Sequence, residues 1–151
     1  MNPSSDIAGR PARVLVVGDQ PDNREVLRIV LECEGFLIVS AGSGPEALAS
    51  VAEQPPDLIL LDIMMPDMDG YQVAAKIKGN PATKNIPILM VTALGGPEVR
   101  TLALSAGAED LLTKPFEAAE LCVRVRKLLR LETPGGPIEG APVESSAAPQ
   151  G

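Results

Sequence analysis

The segment Asp57-Leu58-Ile59-Leu60-Leu61-Asp62 constrains the fold of this chain more than any other feature. A run this apolar predicts a strand that is buried on both faces, as in a parallel sheet covered by helices on each side. The strand ends in a single carboxylate, and the turn-forming segment Pro66-Asp67-Met68-Asp69-Gly70 follows it. Because ligands bind outside the carboxyl ends of strands in open parallel sheets, we expect Asp62 to lie at a functional edge.

The rest of the chain alternates strand patterns with helix patterns. Such βα repeats predict the α/β class, with a five-stranded parallel sheet and helices on both faces. The predicted strands are Arg13–Val17, Phe36–Ala41, Asp57–Asp62, Ile86–Thr92 and Asp110–Thr113, and the predicted helices are Asp22–Glu34, Pro45–Glu53, Tyr71–Lys78, Glu98–Ser105 and Glu117–Leu131.

We expect one domain over residues 12–132, preceded by a flexible N-terminal arm over residues 1–11. Residues 133–151 are rich in proline, glycine and alanine and are predicted to form a disordered tail. Asp22 is placed to cap the first helix. The predicted buried faces are Val26, Ile29, Val30 and Cys33 in the first helix and Leu121, Val125 and Leu128 in the last.

Composition excludes several classes of function. The formal net charge is −7, so non-specific binding to nucleic acid or to anionic lipid is not expected. No apolar run reaches the ~20 residues of a membrane span, and no signal-peptide pattern precedes the domain. The chain contains no histidine, which rules out Ser-His and Cys-His catalysis within it, and its two cysteines are isolated. We therefore expect a cytoplasmic protein that binds neither membranes nor nucleic acid.

Four predicted strands end at or beside a side chain suited to phosphoryl chemistry. Asp19 follows the first strand, Asp62 ends the third, Thr92 ends the fourth and Lys114 follows the fifth. Two carboxylates make a hard-oxygen site suited to Mg²⁺, and one of them can act as a nucleophile toward phosphorus. An ammonium and a hydroxyl can pair with phosphoryl oxygens. Each residue alone has an ordinary structural role, such as a helix cap or a solvated charge, but the joint pattern favours phosphoryl transfer onto Asp62.

At these positions the chain resembles the CheY-like receiver domain of two-component response regulators, in particular single-domain forms and receivers attached to diguanylate cyclases. The resemblance implies a flavodoxin-like (βα)5 fold in which Asp62 accepts phosphate from a histidine kinase or phosphotransfer protein. It also implies Mg²⁺ held by Asp19, Asp62 and the Met64 carbonyl, with Thr92 and Lys114, the latter before a cis-proline, sensing the phosphate. The matching stretches are Val14–Asp19, Leu61–Gly70, Val91–Ala93 and Thr113–Phe116.

The chain departs from the pattern of this family in three places. Gly18 stands where the family usually has a second acid, so we expect weakened Mg²⁺ binding. Leu111 replaces the usual aromatic ring three residues before the lysine, so an aromatic switch is absent. Met64 and Leu94 flank the expected path of the attacking water, and neither side chain can orient it. We therefore expect a long-lived phosphoryl group.

A second resemblance concerns dimerisation. In receivers of the winged-helix regulators, a similar set of charges forms crossed salt bridges across a symmetric dimer. The pairs here would be Arg100 with Glu120 and Asp110 with Arg124, which would place a homodimer on the last two helices and the fifth strand. The alternative is that Glu120 and Arg124 form an ordinary pair on one solvated helix face.

These residues indicate one leading function and two alternatives. The leading hypothesis is a non-enzymatic single-domain response regulator whose phosphorylation switches binding to an unidentified downstream protein. The alternative is a phosphate-independent pseudo-receiver, which the losses at Gly18 and Leu111 would suit and the retained Asp19, Asp62, Thr92 and Lys114 argue against. An aspartate-nucleophile phosphatase is disfavoured, because those enzymes resemble one another in a second acid at the position occupied here by Met64.

Overall fold

A computed structural model describes residues 6, 7, 9–93 and 95–131 of the chain. Its centre is a five-stranded parallel sheet, and its helices lie on both faces, so the predicted architecture is confirmed. In chain order the elements are β1 (Asp6–Ile7), β2 (Arg10–Pro11), β3 (Arg13–Val17), α1 (Pro21–Cys33), β4 (Leu37–Ala41), α2 (Gly44–Glu53), β5 (Leu58–Asp62), α3 (Gly70–Lys78), β6 (Ile88–Thr92), α4 (Pro97–Ser105), β7 (Asp110–Thr113) and α5 (Ala118–Leu129). The strand order is β4-β3-β5-β6-β7.

The central strand, β5, is buried on both faces, as its composition predicts. Alternate residues of each strand point to opposite faces and supply two separate cores. One core lies under α2, α3 and α4 and contains Leu15, Ile59, Leu61, Val73, Ile77 and Ala103. The other lies under α1 and α5 and contains Val14, Leu60, Leu27, Leu31, Leu121 and Val125. The predicted buried face of α5 is therefore confirmed at Leu121 and Val125.

The predicted buried face of α1 is wrong at Val26, Ile29 and Cys33, whereas Val30 is partly buried and packs against the core. The helix turns Leu27 and Leu31 toward the sheet, whereas Val26 is 59% exposed and Ile29 is 52% exposed. Cys33 is also exposed. Two overlapping apolar stripes run along this helix, and the sheet accepts the one that carries the two leucines.

The start of α1 also differs from the prediction. The helix begins at Pro21, with Gln20 as its N-cap, and Asp22 lies inside the first turn instead of capping it. Proline suits the first helical position because its φ angle is already helical and no hydrogen bond from its nitrogen is needed there. Asp22 still contributes favourably, since its negative charge lies near the positive end of the helix dipole.

The segment predicted to be a flexible arm contains a small hairpin in its described part. Strands β1 and β2 pair in antiparallel fashion. The Arg10 guanidinium donates to both carboxylate oxygens of Asp57, at 2.7 and 2.9 Å. The backbone N–H of Arg13, the first residue of β3, donates to the same carboxylate at 2.8 Å, so Asp57, just before β5, joins the hairpin to β3. Residues 133–151, predicted to be a disordered tail, lie outside the described residues.

None of the described helices is long and apolar enough to cross a bilayer.

Candidate functional site

The site lies where the order of the strands reverses direction. From the neighbouring strands β3 and β5 the chain winds outward in opposite directions, which opens a crevice at their carboxyl ends. Asp62 is the last residue of β5. Asp19 lies two residues beyond the end of β3, with Gly18 between it and the strand. The fold thus brings the two predicted carboxylates to one crevice.

Asp62 is partly buried, and burial raises the pKa of its carboxyl above the usual value. The backbone N–H of Met64 donates to Oδ1 of Asp62 at 3.1 Å, and this hydrogen bond lowers the pKa of the carboxyl. The ammonium of Lys114 also lowers this pKa, while the nearby negative charge of Asp19 raises it. The carboxylate is therefore fixed in orientation and incompletely compensated in charge.

Thr92 and Lys114 reach the same edge from the two strands beyond β5. Thr92 ends β6 and is fully buried. Its backbone carbonyl accepts a hydrogen bond from the N–H of Lys114 at 2.7 Å, which ties the end of β7 to the end of β6. The bond between Lys114 and Pro115 is cis, as the resemblance implies. Lys114 lines one small cavity together with Asp62 and Gly18.

The loop after β5 depends on a glycine. A Cβ atom at Gly70 would lie 2.6 Å from the carbonyl oxygen of Asp62 and 2.8 Å from the Cα atom of Ile63. Only glycine allows α3 to begin this close to the end of the strand. Asp69 caps α3, and Gln72 completes a reciprocal capping box. The turn that follows Asp62 is therefore held by packing and by helix capping.

The donor set suits Mg²⁺ better than a softer metal. Within the residues that the structure describes, no cluster of three Asp, Glu, His or Cys side chains is present. The oxygens that the resemblance implies as ligands are the carboxylates of Asp19 and Asp62, which interact electrostatically in the structure, and the backbone carbonyl of Met64. Mg²⁺ binds through one or two carboxylates and keeps several waters, so this set fits the ion. A Cβ atom at Gly18 would lie 3.7 Å from Oδ2 of Asp62, which shows how close a second acid would stand.

Sequence reasoning did not identify Arg24. Its guanidinium Nη1 donates a short hydrogen bond to the carbonyl oxygen of Gly18. Arg24 and Asn23 also line the cavity beside Asp62. Nothing in the periodicity of α1 indicates this contact, because it depends on how the helix crosses the end of β3.

The four predicted dimer residues are only partly brought together in one chain. Arg124 donates to Glu120 at 3.3 Å, the ordinary helical pair kept as the alternative, and to Asp110 of the same chain at 2.7 Å, a pair that was expected between protomers. Arg100 is exposed on α4.

Leu111 is buried in the core at the position expected for an aromatic ring. Leu94, expected near the path of water, lies outside the described residues.

Comparisons with known proteins agree with this geometry. The family model of the response regulator receiver domain matches residues 14–126. The chain is 46% identical over 121 residues to the response regulator PleD of Caulobacter vibrioides, which covers 80% of this chain and 27% of PleD. It is 44% identical over 118 residues to the DNA-binding response regulator MtrA of Mycolicibacterium smegmatis, which covers 78% of this chain and 50% of MtrA. The chain thus spans at most half the length of these curated relatives.

Solved structures show the same fold. A Chloroflexus aurantiacus protein described as a response regulator has a TM-score of 0.78 and 38% sequence identity, and the match covers 80% of this chain and 99% of that chain. The chemotaxis protein CheY4 of Vibrio cholerae has a TM-score of 0.74 and 31% identity, and the match covers 78% of this chain and 98% of that chain.

The charge of Asp62 should make the metal-free protein less stable. Folding raises the pKa of Asp62, so ionising this carboxyl costs folding stability. The cost is absent at a pH below the pKa of the unfolded chain, where both states are protonated. It is complete at a pH above the folded-state pKa. Asp62→Asn should therefore raise the melting temperature at pH 7.5 in EDTA, by about 4 °C for each kcal/mol relieved. The gain should shrink toward pH 4.5, and Asp67→Asn, at an exposed acid of the same loop, should show no such trend. Circular dichroism melts measure this, and an Asp62→Asn protein that melts below wild type at pH 7.5 would contradict it.

Proposed function

Because the chain belongs to the response regulator receiver domain family, we propose that Asp62 accepts a phosphoryl group from a histidine kinase or a phosphotransfer protein and that this switches binding to a downstream protein. The observation that supports the proposal most is the meeting of Asp19, Asp62 and Lys114 at one edge of the sheet. Asp62 combines partial burial with a neighbouring acid, Asp19, and a neighbouring ammonium, Lys114.

The chemistry follows from the position of each group. An oxygen of the Asp62 carboxylate attacks phosphorus while the bond from phosphorus to the histidine nitrogen of the donor breaks, and the ring leaves with the bonding electrons. The Met64 N–H holds the other carboxylate oxygen in place. The Lys114 ammonium and the Thr92 hydroxyl are the groups proposed to pair with phosphoryl oxygens. Bound Mg²⁺ would add positive charge where negative charge accumulates.

Receiver domains interact with histidine kinases and with downstream targets, and the surface beside the site suits contact with a protein. Val26 and Ile29 are exposed apolar side chains on α1, the helix that borders the crevice. The chain spans at most half of the compared curated relatives, so their output activities are not assigned to it. The residues described here provide the phosphoacceptor and its surroundings.

Phosphorylation of Asp62 can be tested by intact mass spectrometry after incubation with acetyl phosphate and Mg²⁺. We expect one added phosphoryl group in the wild type and none in Asp62→Asn. Asp67→Asn is the matched control, because it removes an exposed acid of the same loop and should be labelled like the wild type. Labelling of Asp62→Asn, or no labelling of the wild type at saturating Mg²⁺, would overturn the proposal and favour a phosphate-independent interaction module.

The lifetime of the phosphoryl group should depend on Met64, whose side chain is 59% exposed and cannot hydrogen-bond to an attacking water. Met64→Gln adds an amide that can orient this water. We expect hydrolysis to accelerate roughly tenfold, below the 10²–10⁴ of a true general base. Leu37→Gln, an exposed apolar residue at the other end of the strands, should not change the rate. Phosphate release followed over time gives the rates, and equal rates for Met64→Gln and wild type would refute the assigned role.

We also propose a homodimer through α4, β7 and α5, in which Arg100 of one protomer meets Glu120 of its partner. The pair of Arg124 with Asp110 in each chain would brace this face. Arg100→Glu and Glu120→Arg should each weaken self-association, and combining them should restore it. Sedimentation velocity before and after acetyl phosphate treatment measures this, and a monomer under both conditions would exclude the dimer.

A further inference from the structure

The backbone of Gly18 is held from two sides. Its N–H donates to the carbonyl oxygen of Ala41 at 3.1 Å. The paired register of β3 and β4 ends one residue earlier, at Val17 and Ala41. The Gly18 carbonyl lies beyond this register and accepts its hydrogen bond from Nη1 of Arg24. The backbone just past the end of β3 is therefore held by a side chain of α1, where pairing with β4 no longer holds it.

The guanidinium of Arg24 has a specific place between α1 and the turn before α2. A Cβ atom at Gly42 would lie 3.3 Å from Nη1 of Arg24 and 3.4 Å from Oε1 of Glu46. The Gly42 N–H in turn donates to Glu46 at 2.8 Å. The absence of a side chain at Gly42 leaves the room that the guanidinium occupies.

Glycine has more backbone freedom than any other residue, and Gly18 immediately precedes Asp19. Gly18 also brings no side chain to the site, so its influence on the position of Asp19 is exerted through the backbone. We propose that Arg24 is a positioning residue that holds the end of β3 so that Asp19 faces Asp62 and can bind Mg²⁺. This inference rests on the proposed function for the identity of the metal.

If Arg24 acted through its charge, removing it would change Mg²⁺ affinity in the opposite direction. A guanidinium close to a cation site repels the cation, so its removal would strengthen Mg²⁺ binding. The charged side chains that shift the pKa of Asp62 are Lys114 and Asp19. The contact of Arg24 is instead with a backbone carbonyl, which favours an effect on geometry.

The test is an NMR titration of the unphosphorylated, full-length chain with MgCl₂ at constant ionic strength. Arg24→Met keeps the stem and removes the donors, and we expect it to weaken Mg²⁺ affinity about tenfold, the lower end for groups that orient metal ligands. Arg24→Lys keeps one donor and should recover most of the affinity. Arg28→Met is the control, because Arg28 lies on the same helix and pairs only with Glu25 and Glu32 among the described residues.

Mg²⁺ affinity of Arg24→Met equal to or tighter than wild type would overturn the inference, as would equal weakening in Arg28→Met. If Arg24→Met does not fold in thermal melts, Gly42→Ala replaces it, since the added Cβ would lie 3.3 Å from Nη1, crowd the guanidinium and weaken Mg²⁺ affinity. An unchanged affinity there also overturns it. Failure of the proposed function looks different, because the wild type would then bind Mg²⁺ without becoming phosphorylated.

Discussion

The arrangement of this site depends on two neighbouring strands that are buried on both faces. Because β3 and β5 pair directly, with Val17 opposite Leu61, the residues just past their carboxyl ends must share one crevice. Asp62 is thereby placed beside a second carboxylate and partly removed from water, and both effects disfavour its charge. The N–H of Met64 and the ammonium of Lys114 offset part of this cost. The remainder is a cost of negative charge that a bound cation would relieve.

Much of the fold could be predicted because the core strands are short apolar runs between turn signals. The exception is α1, where Val26 and Ile29 form one apolar stripe and Leu27 and Leu31 form another. Periodicity gives both stripes similar weight, and only the shape of the sheet surface decides between them. The hairpin of β1 and β2 escaped prediction for a related reason. Its support comes from the distant Asp57, and two-residue strands leave no pattern in the sequence.

The residues of the candidate site also fall into those that could be predicted from the sequence and those that could not. Asp62, Thr92 and Lys114 could be predicted because each comes at the end of a strand, and parallel strands bring their ends to one edge. Arg24 could not, because its role depends on Gly18 and Gly42, which belong to different strand ends and meet only after folding. Residues that lie at this edge are thus visible in local sequence. Residues that hold the backbone of that edge are not.

Gly18 affects both the ionisation of Asp62 and the attraction of the site for a cation. A carboxylate there would stand close to Oδ2 of Asp62 and would raise the pKa of Asp62 further by repulsion. Its absence leaves Asp62 more readily ionised without metal, but it also removes negative charge that would attract a cation. The same loss shifts the task of fixing Asp19 from side chains to the backbone. A site with one acid fewer therefore depends more on the precise course of the strand that carries the remaining one.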